Sequence, residues 1–194
     1  MMQKLFKYWR SKRNNKRRMN VRPAMIYAFE HKGKILPDTR VGSSTTIEFP
    51  DSLKLDNNVF IGQYNFLEAS NGMTIEEGCQ ITNFVSILTH SSHNAIRYYG
   101  KNYRYEIDMK GYVKGNVHIG KYTFIGPHVT IMPGTTIGKG SIVSAYSMVK
   151  GDFPDFSIIA GNPAKVIGDT RDKDKDFLKE HPELQTHHDK WAKE

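Results

Sequence analysis

A chain of 194 residues with one cysteine, 38% hydrophobic and 25% charged, is long enough for one domain with a buried core and has no disulfide framework to hold it together. Its net charge of +8 does not describe the body of the chain: Lys4, Lys7, Arg10, Lys12, Arg13, Lys16, Arg17, Arg18 and Arg22 all precede the first acidic residue, Glu30, and 19 basic residues (28 less these nine) then face 20 acidic ones. No run approaches the ~20 apolar residues of a spanning helix, and neither an apolar core nor a small-residue cleavage site follows the first cations, so neither a membrane span nor an export signal is expected.

Residues 1–29 form a basic N-terminal arm in which Leu5, Phe6, Tyr8 and Trp9 alternate with cations. Residues 1–22 suit peripheral contact with an anionic membrane surface, or a partly helical extension that packs on a neighbouring subunit. No nucleic-acid partner is expected, because the charge is confined to this end.

Residues 30–168 carry a beat of six. Aliphatic residues recur at Ile35, Val41 and Ile47, at Leu55, Ile61 and Leu67, and at Ile75, Ile81 and Ile87; each change of register inserts two residues, which enlarges a corner without destroying the pattern. The beat returns unbroken at Val113, Ile119, Ile125, Ile131, Ile137, Val143 and Val149. Two residues earlier stand small or β-branched side chains such as Val117, Thr123 and Ser141, and Gly120, Gly126 and Gly138 follow, expected to let the chain turn. A period of six is neither helical nor a simple strand alternation. Three six-residue units make a triangular coil, and coils stack at the ~4.8 Å strand spacing in a parallel β-helix. Cys79 falls within this beat and reads as a small core residue.

The beat breaks between Ile87 and Val113, where a loop over 89–112 is extruded and opens on Thr89-His90-Ser91-Ser92-His93-Asn94. A loop held at its base by rigid coils is a favourable place for chemistry. After Val149, Pro154 and Pro163 end regular pairing, and a helical tail over 169–194, with Phe177, Leu178, Leu184 and Trp191, is expected to cover the open end of the solenoid.

The aliphatic-Gly-x4 repeat, the histidine loop and the ending "SMVKGDFPDFSIIAGNPAKVI" resemble the hexapeptide-repeat acetyltransferases, in particular those that acetylate sugars; the resemblance covers about residues 35–171. It implies a mainly β fold, a left-handed parallel β-helix that assembles into homotrimers, with acetyl-CoA as co-substrate, no metal requirement and a sugar or glycan acceptor. The function it implies is transfer of acetyl to a sugar hydroxyl in cell-surface polysaccharide biosynthesis, in the cytoplasm, with the arm suited to the inner face of the membrane. An amino-sugar N-acetyltransferase is the alternative acceptor chemistry.

Within that resemblance His93 is the expected general base, with His90 as the alternative or as a substrate contact; a neutral imidazole suits proton abstraction near neutral pH. Ser92 and Asn94 could orient it, with any carboxylate coming from elsewhere, Glu68 or Asp108. Asn94, Arg97, Tyr98, Tyr99 and Tyr103, joined by Arg104 and Tyr105, form the expected sugar wall, unless they pack the loop on a neighbour. The family implies a pantetheine groove at Ser144-Ala145 and Ala160-Gly161, with Lys150, Lys165 and Arg171 suited to the coenzyme phosphates. One departure stands out: the basic residue expected just after "AKVI" is Gly168, and Arg171 lies three further on. A zinc-binding, carbonic-anhydrase-like member would need three histidines from His90, His93, His118 and His128, and the ten-residue spacing of the last two does not match. An inactive trimeric scaffold is a third class. Deleting residues 1–22 is expected to move the protein out of the membrane fraction on cell fractionation; an unchanged distribution would leave the arm no membrane role.

Overall fold

The computed structural model describes residues 23–193, so the segment 1–22 and its membrane reading lie outside the described residues. From Lys34 onward the chain winds through short strands that pair in parallel with the coils on either side, giving three flat faces. On the first face Val41, Ile61, Ile81, Ile125, Val143 and Ile159 lie in register. Ile47, Leu67, Ile87, Ile131 and Val149 do so on the second, and Leu55, Ile75, Ile119, Ile137 and Phe153 on the third. These residues meet in one core, with Ile47 packed at its edge. Each face therefore contributes one inward aliphatic per coil, which is the physical origin of the six-residue beat.

The two extra residues of the early coils sit between the second and third faces, between Ile47 and Leu55 and between Leu67 and Ile75, so that Val41, Ile61 and Ile81 stack at intervals of twenty. The extruded loop leaves from this same corner one coil later. Two residues of the sequence pattern fall outside the stack. Ile35 is 62% exposed, because its strand begins as the return arm of an antiparallel hairpin with Met25–His31; Leu36 points inward instead. That hairpin also takes residues 25–29 out of the arm. Val113 pairs with Ser91 at the loop base, so the beat resumes at Val117 and Ile119, and the loop runs on to Asn116.

The glycines act differently from expectation. Gly120, Gly126 and Gly138 have ordinary negative φ; a Cβ there would meet the backbone of the next coil, at 2.6 Å from Lys139 N for Gly120 and 2.8 Å from Ala145 N for Gly126. They are required by close approach between coils. The turning residue comes two positions later and is often not glycine: Tyr122, His128, Tyr146 and Phe156 all have φ near +60°. Such a conformation costs about 1–2 kcal/mol per residue. Ring stacking offsets it: Tyr64, Phe84, His128 and Tyr146 form a ladder along the first corner, with centroids 4.8–5.1 Å apart and planes within 6° of parallel.

The tail does not cover the open end as the sequence suggests. Helices Thr170–Glu180 and Gln185–Ala192 fold back along the corner between the third and first faces, and Trp191 packs on Tyr122 and Phe156 over Gly140. Lys139 Nζ donates to Ala192 O at 3.1 Å and so holds the C-terminal end of the last helix. Pairing after Pro154 continues through strand Ser157–Gly161 and an antiparallel return, Ala164–Asp169, which finishes the first face. Cys79 lies wholly in the core, donates to Gly120 O at 3.1 Å and has its thiol pushed up to about 12 by burial. Replacing Ile131, fully buried in mid-stack, with alanine is expected to lower the unfolding free energy by about 2–5 kcal/mol, and Phe124→Ala on the outer surface by much less, measured by urea unfolding.

Candidate active site

The extruded loop is closed at its base by a two-residue antiparallel ladder in which His90 faces Lys114 and Ser91 faces Val113. The ladder sets His90 at the enlarged corner, one coil beyond Ser70. Below it lies Glu68, in register with Glu48 and Leu88 on the second face and only 2% exposed. Glu68 accepts hydrogen bonds from the N–H of Ser70 at 2.8 Å, the N–H of Thr89 at 3.1 Å and Thr89 Oγ1 at 2.8 Å. Burial by itself pushes the carboxyl up, but the hydrogen bonds from Ser70 and Thr89 outweigh it and hold the group at about 2.

An ionised carboxylate only accepts. His90 Nδ1, 2.8 Å from Glu68 Oε2, therefore carries a proton, which in the neutral ring puts the lone pair on Nε2. Ser70 Oγ lies 3.3 Å from the same Nδ1. On the ring's face Tyr112 stacks at 5.4 Å with planes 12° apart. Burial first, then Tyr103 and Glu68, push the Tyr112 phenol up, so it stays protonated as a donor. Ser70, Asn71, His90, Asp108, Tyr112 and Lys114 line a cleft of about 370 Å³ with Phe49, Ile107 and Met109 at its lip. A larger groove of about 650 Å³ beside the tail includes His188, whose nearest carboxylate, Asp174, is 3.6 Å away and half-exposed. That pair is longer than the one His90 makes, and both ring nitrogens of His188 are buried without a hydrogen bond among the described residues.

The structure separates the two histidines of the loop. His93 is exposed and outside the cleft; its Nδ1 meets Ser91 Oγ at 2.8 Å, and its carbonyl accepts from Arg97 at 2.6 Å. Arg97 also donates to Asn94 Oδ1 at 2.6 Å, and Tyr99 Oη accepts from Lys110 N at 3.0 Å. Asn94, Arg97, Tyr98, Tyr99 and Tyr103 are not among the cleft-lining residues. His93, Asn94, Arg97 and Tyr99 brace the loop instead, around the short helix Ala95–Tyr99. The residues expected to form the sugar wall thus lie outside the cleft around His90. The other residues of the cleft, Ser70, Asn71, Tyr112 and Lys114, had one signal in the sequence: with twenty residues per coil, Ser70 falls directly beneath His90.

Of the residues assigned to the coenzyme, five gather and two do not. Ser144 and Ala145 form the corner between the first and second faces, where Ser144 N donates to Ile159 O at 2.8 Å and Gly161 N donates to Ser147 Oγ at 3.2 Å. Ala160 pairs with Lys165 across the closing hairpin beside them. Lys150 lies beyond strand Met148–Val149, at the corner from which the histidine loop leaves. Arg171 is carried by the returning strand to the third corner, where it pairs with Asp169 and lies 5.0 Å over Phe156. The histidines weighed as zinc ligands are held apart: His118 points outward 3.5 Å from Glu76, and His128 is a rung of the aromatic ladder. Among the described residues no three metal-binding side chains converge, and no helix is long and apolar enough to cross a membrane.

A parallel β-helix with one histidine loop springing from an enlarged corner defines the class as a left-handed hexapeptide solenoid. Residues 116–151 match the model for bacterial transferase hexapeptide (six repeats). The chain is 31% identical over 147 residues to galactoside O-acetyltransferase of Escherichia coli, covering 71% of this chain and 66% of that protein. It is 34% identical over 113 residues, 57% of either chain, to WbbJ of the same organism, provisionally a lipopolysaccharide-biosynthesis O-acetyl transferase. A provisional acetyltransferase of Staphylococcus aureus is 49% identical over 59 residues, so the chain spans only 30% of that relative's length. In three dimensions it resembles a hexapeptide-repeat acetyltransferase of Vibrio cholerae complexed with acetyl coenzyme A (TM-score 0.56, 23% identity, 65% and 64% of the two chains). It also resembles a variant of AntD, an N-acyltransferase of Bacillus cereus complexed with dTDP and coenzyme A (TM-score 0.53, 25% identity, 73% and 88%). In its repeats and its fold the chain is similar to the hexapeptide-repeat transferases.

Because Glu68 is held below its ordinary value of 4.5, its contribution to stability is complete above about pH 4.5 and is lost as the pH falls toward about 2. Urea unfolding across that window is expected to show a steeper acid loss for the wild type than for Glu68→Gln; parallel curves would remove Glu68 as a buried anion.

Proposed function

We propose that this chain is an acetyl-CoA-dependent acetyltransferase that acts on a sugar hydroxyl in the assembly of a cell-surface polysaccharide, with His90 as the general base. The observation that carries the reading is the buried Glu68 carboxylate against His90 Nδ1 at the mouth of the cleft. His90 Nε2 takes the proton of the acceptor hydroxyl as that oxygen attacks the thioester carbonyl. Glu68 faces the imidazolium so formed and stabilises it, as a carboxylate held against a histidine does in acyl transfer generally. His90 then returns the proton to the departing coenzyme thiolate, which leaves the site as it began. His93, exposed and braced by Ser91, lacks a carboxylate partner among the described residues and is not the base in this reading.

Similarity to galactoside O-acetyltransferase and to WbbJ supports a sugar hydroxyl as acceptor and polysaccharide assembly as the setting. The V. cholerae structure with acetyl coenzyme A supports the donor, and a cytoplasmic location goes with that donor. Within one chain the coenzyme residues Ser144, Ala145, Ala160, Gly161 and Lys165 stand at one edge of the second face and His90 at the other, so a homotrimer supplies a way for a neighbour's coenzyme corner to face the base. An amino-sugar acceptor is the second reading, favoured by the likeness to the N-acyltransferase AntD.

Release of coenzyme A from acetyl-CoA with a panel of sugars and amino sugars tests the proposal. His90→Ala is expected to lower kcat by at least about 10²-fold and His93→Ala by no more than about threefold, the span set by general-base catalysis. Full turnover in His90→Ala would sink the mechanism, and a preference for amino sugars would select the second reading.

A further inference from the structure

One group in the cleft has no part in the transfer of the proton. Lys114 lines it, directly across the two-residue ladder from His90, and opposed residues of such a pair hold their Cβ atoms about 5 Å apart. Its Nζ lies 5.4 Å from the ring of Tyr112, the same ring that stacks on His90. Among the described residues no carboxylate comes within ion-pair distance of Lys114. Asp108 lines the same cleft without pairing with it, and Glu68 is already occupied by Ser70, Thr89 and His90.

An ammonium without a carboxylate partner among the described residues, on the wall of this cleft and beside the ring that stacks on the base, is a ready partner for an acceptor that carries a negative charge. We propose that Lys114 binds an anionic group of the acceptor, so that the cleft selects acidic sugars or sugar phosphates over neutral ones, with the anion about one sugar ring from the hydroxyl that is acetylated. The inference rests on the acetyl-transfer reading for the identity of the site.

Acetyl transfer from acetyl-CoA is measured with methyl glucoside, methyl glucuronide and glucose 1-phosphate, which share a ring and differ in having no anion, a carboxylate or a phosphate. The wild type is expected to favour one of the two anionic acceptors by roughly ten- to a hundredfold in kcat/KM, the size of one hydrogen bond to a charged group. Lys114→Gln is expected to abolish that preference and Lys114→Arg to keep it, with KM for acetyl-CoA unmoved. No preference in the wild type, or one that survives Lys114→Gln, overturns the proposal while leaving the transfer reading intact. A change confined to KM for acetyl-CoA also overturns it, since Lys114 would then meet a coenzyme phosphate. If none of the three sugars is acetylated, saturation-transfer NMR with the same sugars decides. Contact with an anionic sugar that is lost in Lys114→Gln supports the proposal, and its absence or persistence overturns it.

Discussion

Everything in this protein hangs on the register between successive coils. Each turn of chain must land its inward aliphatic on that of the turn before, as Ile81 does on Ile61 and Ile125 on Ile81, and it must do so on three faces at once. A slip of one residue would expose the whole inward row to water and bury polar neighbours in its place. Two further demands follow. Coils have to approach closely where the chain leaves a strand, which excludes a Cβ at Gly120 and Gly126. The chain has to turn two residues later through a left-handed conformation, met by Tyr64, Phe84, His128 and Tyr146 with rings that stack on one another. A solenoid spends little of its sequence on these demands and leaves most outward positions free.

The active corner uses the same register for chemistry. Coil stacking places Glu68 under Thr89 and His90, where a carboxylate can be buried because backbone and hydroxyl donors from two coils already point at it. Polar side chains between stacked coils are otherwise costly. Here the cost is met by three donors and by the imidazole, and the result is an anion that fixes the tautomer of His90. The loop contributes both histidines, and the coil beneath supplies a buried carboxylate to one of them, His90. His93 is on the same loop, three residues away, and faces solvent, since the two-residue ladder ends before it.

The two ends of the chain show how a repeat is stopped. At the beginning, the hairpin of Met25–His31 with Lys34–Gly42 pairs antiparallel and brings Phe29 against the core, with His31 Nε2 2.9 Å from Leu53 O. At the other end the antiparallel return Ala164–Asp169 closes the first face and then hands the chain to a helix capped by the Asp169 side chain, which accepts from Arg171 N at 2.9 Å. This return explains the fate of Arg171. Reversal of direction carries it a full face away from Ser144 and Ala145, where its guanidinium pairs with Asp169 and lies over Phe156. The tail then finds Gly140, where a missing side chain leaves room for Trp191 between Tyr122 and Phe156.

The sequence by itself determined the solenoid, its three-sided coil, the enlarged corner and the segment that leaves it, because a stacked repeat writes its contacts at a constant interval. Cys79 as a core residue was legible for the same reason. The aliphatic beat misled only at its margins, where Ile35 and Val113 keep the period but sit in antiparallel pairs, which period alone does not distinguish from coil strands. Tertiary structure decided what each histidine of the loop meets. The partner of His90 lies 22 residues earlier on another coil, and choosing between two histidines of one loop depends on which of them faces that carboxylate. A six-residue rhythm records which residues point inward; it carries no information on how an extruded loop folds back over the corner it came from, since that path is set by a short ladder, His90 with Lys114 and Ser91 with Val113, that repeats nowhere else in the coils.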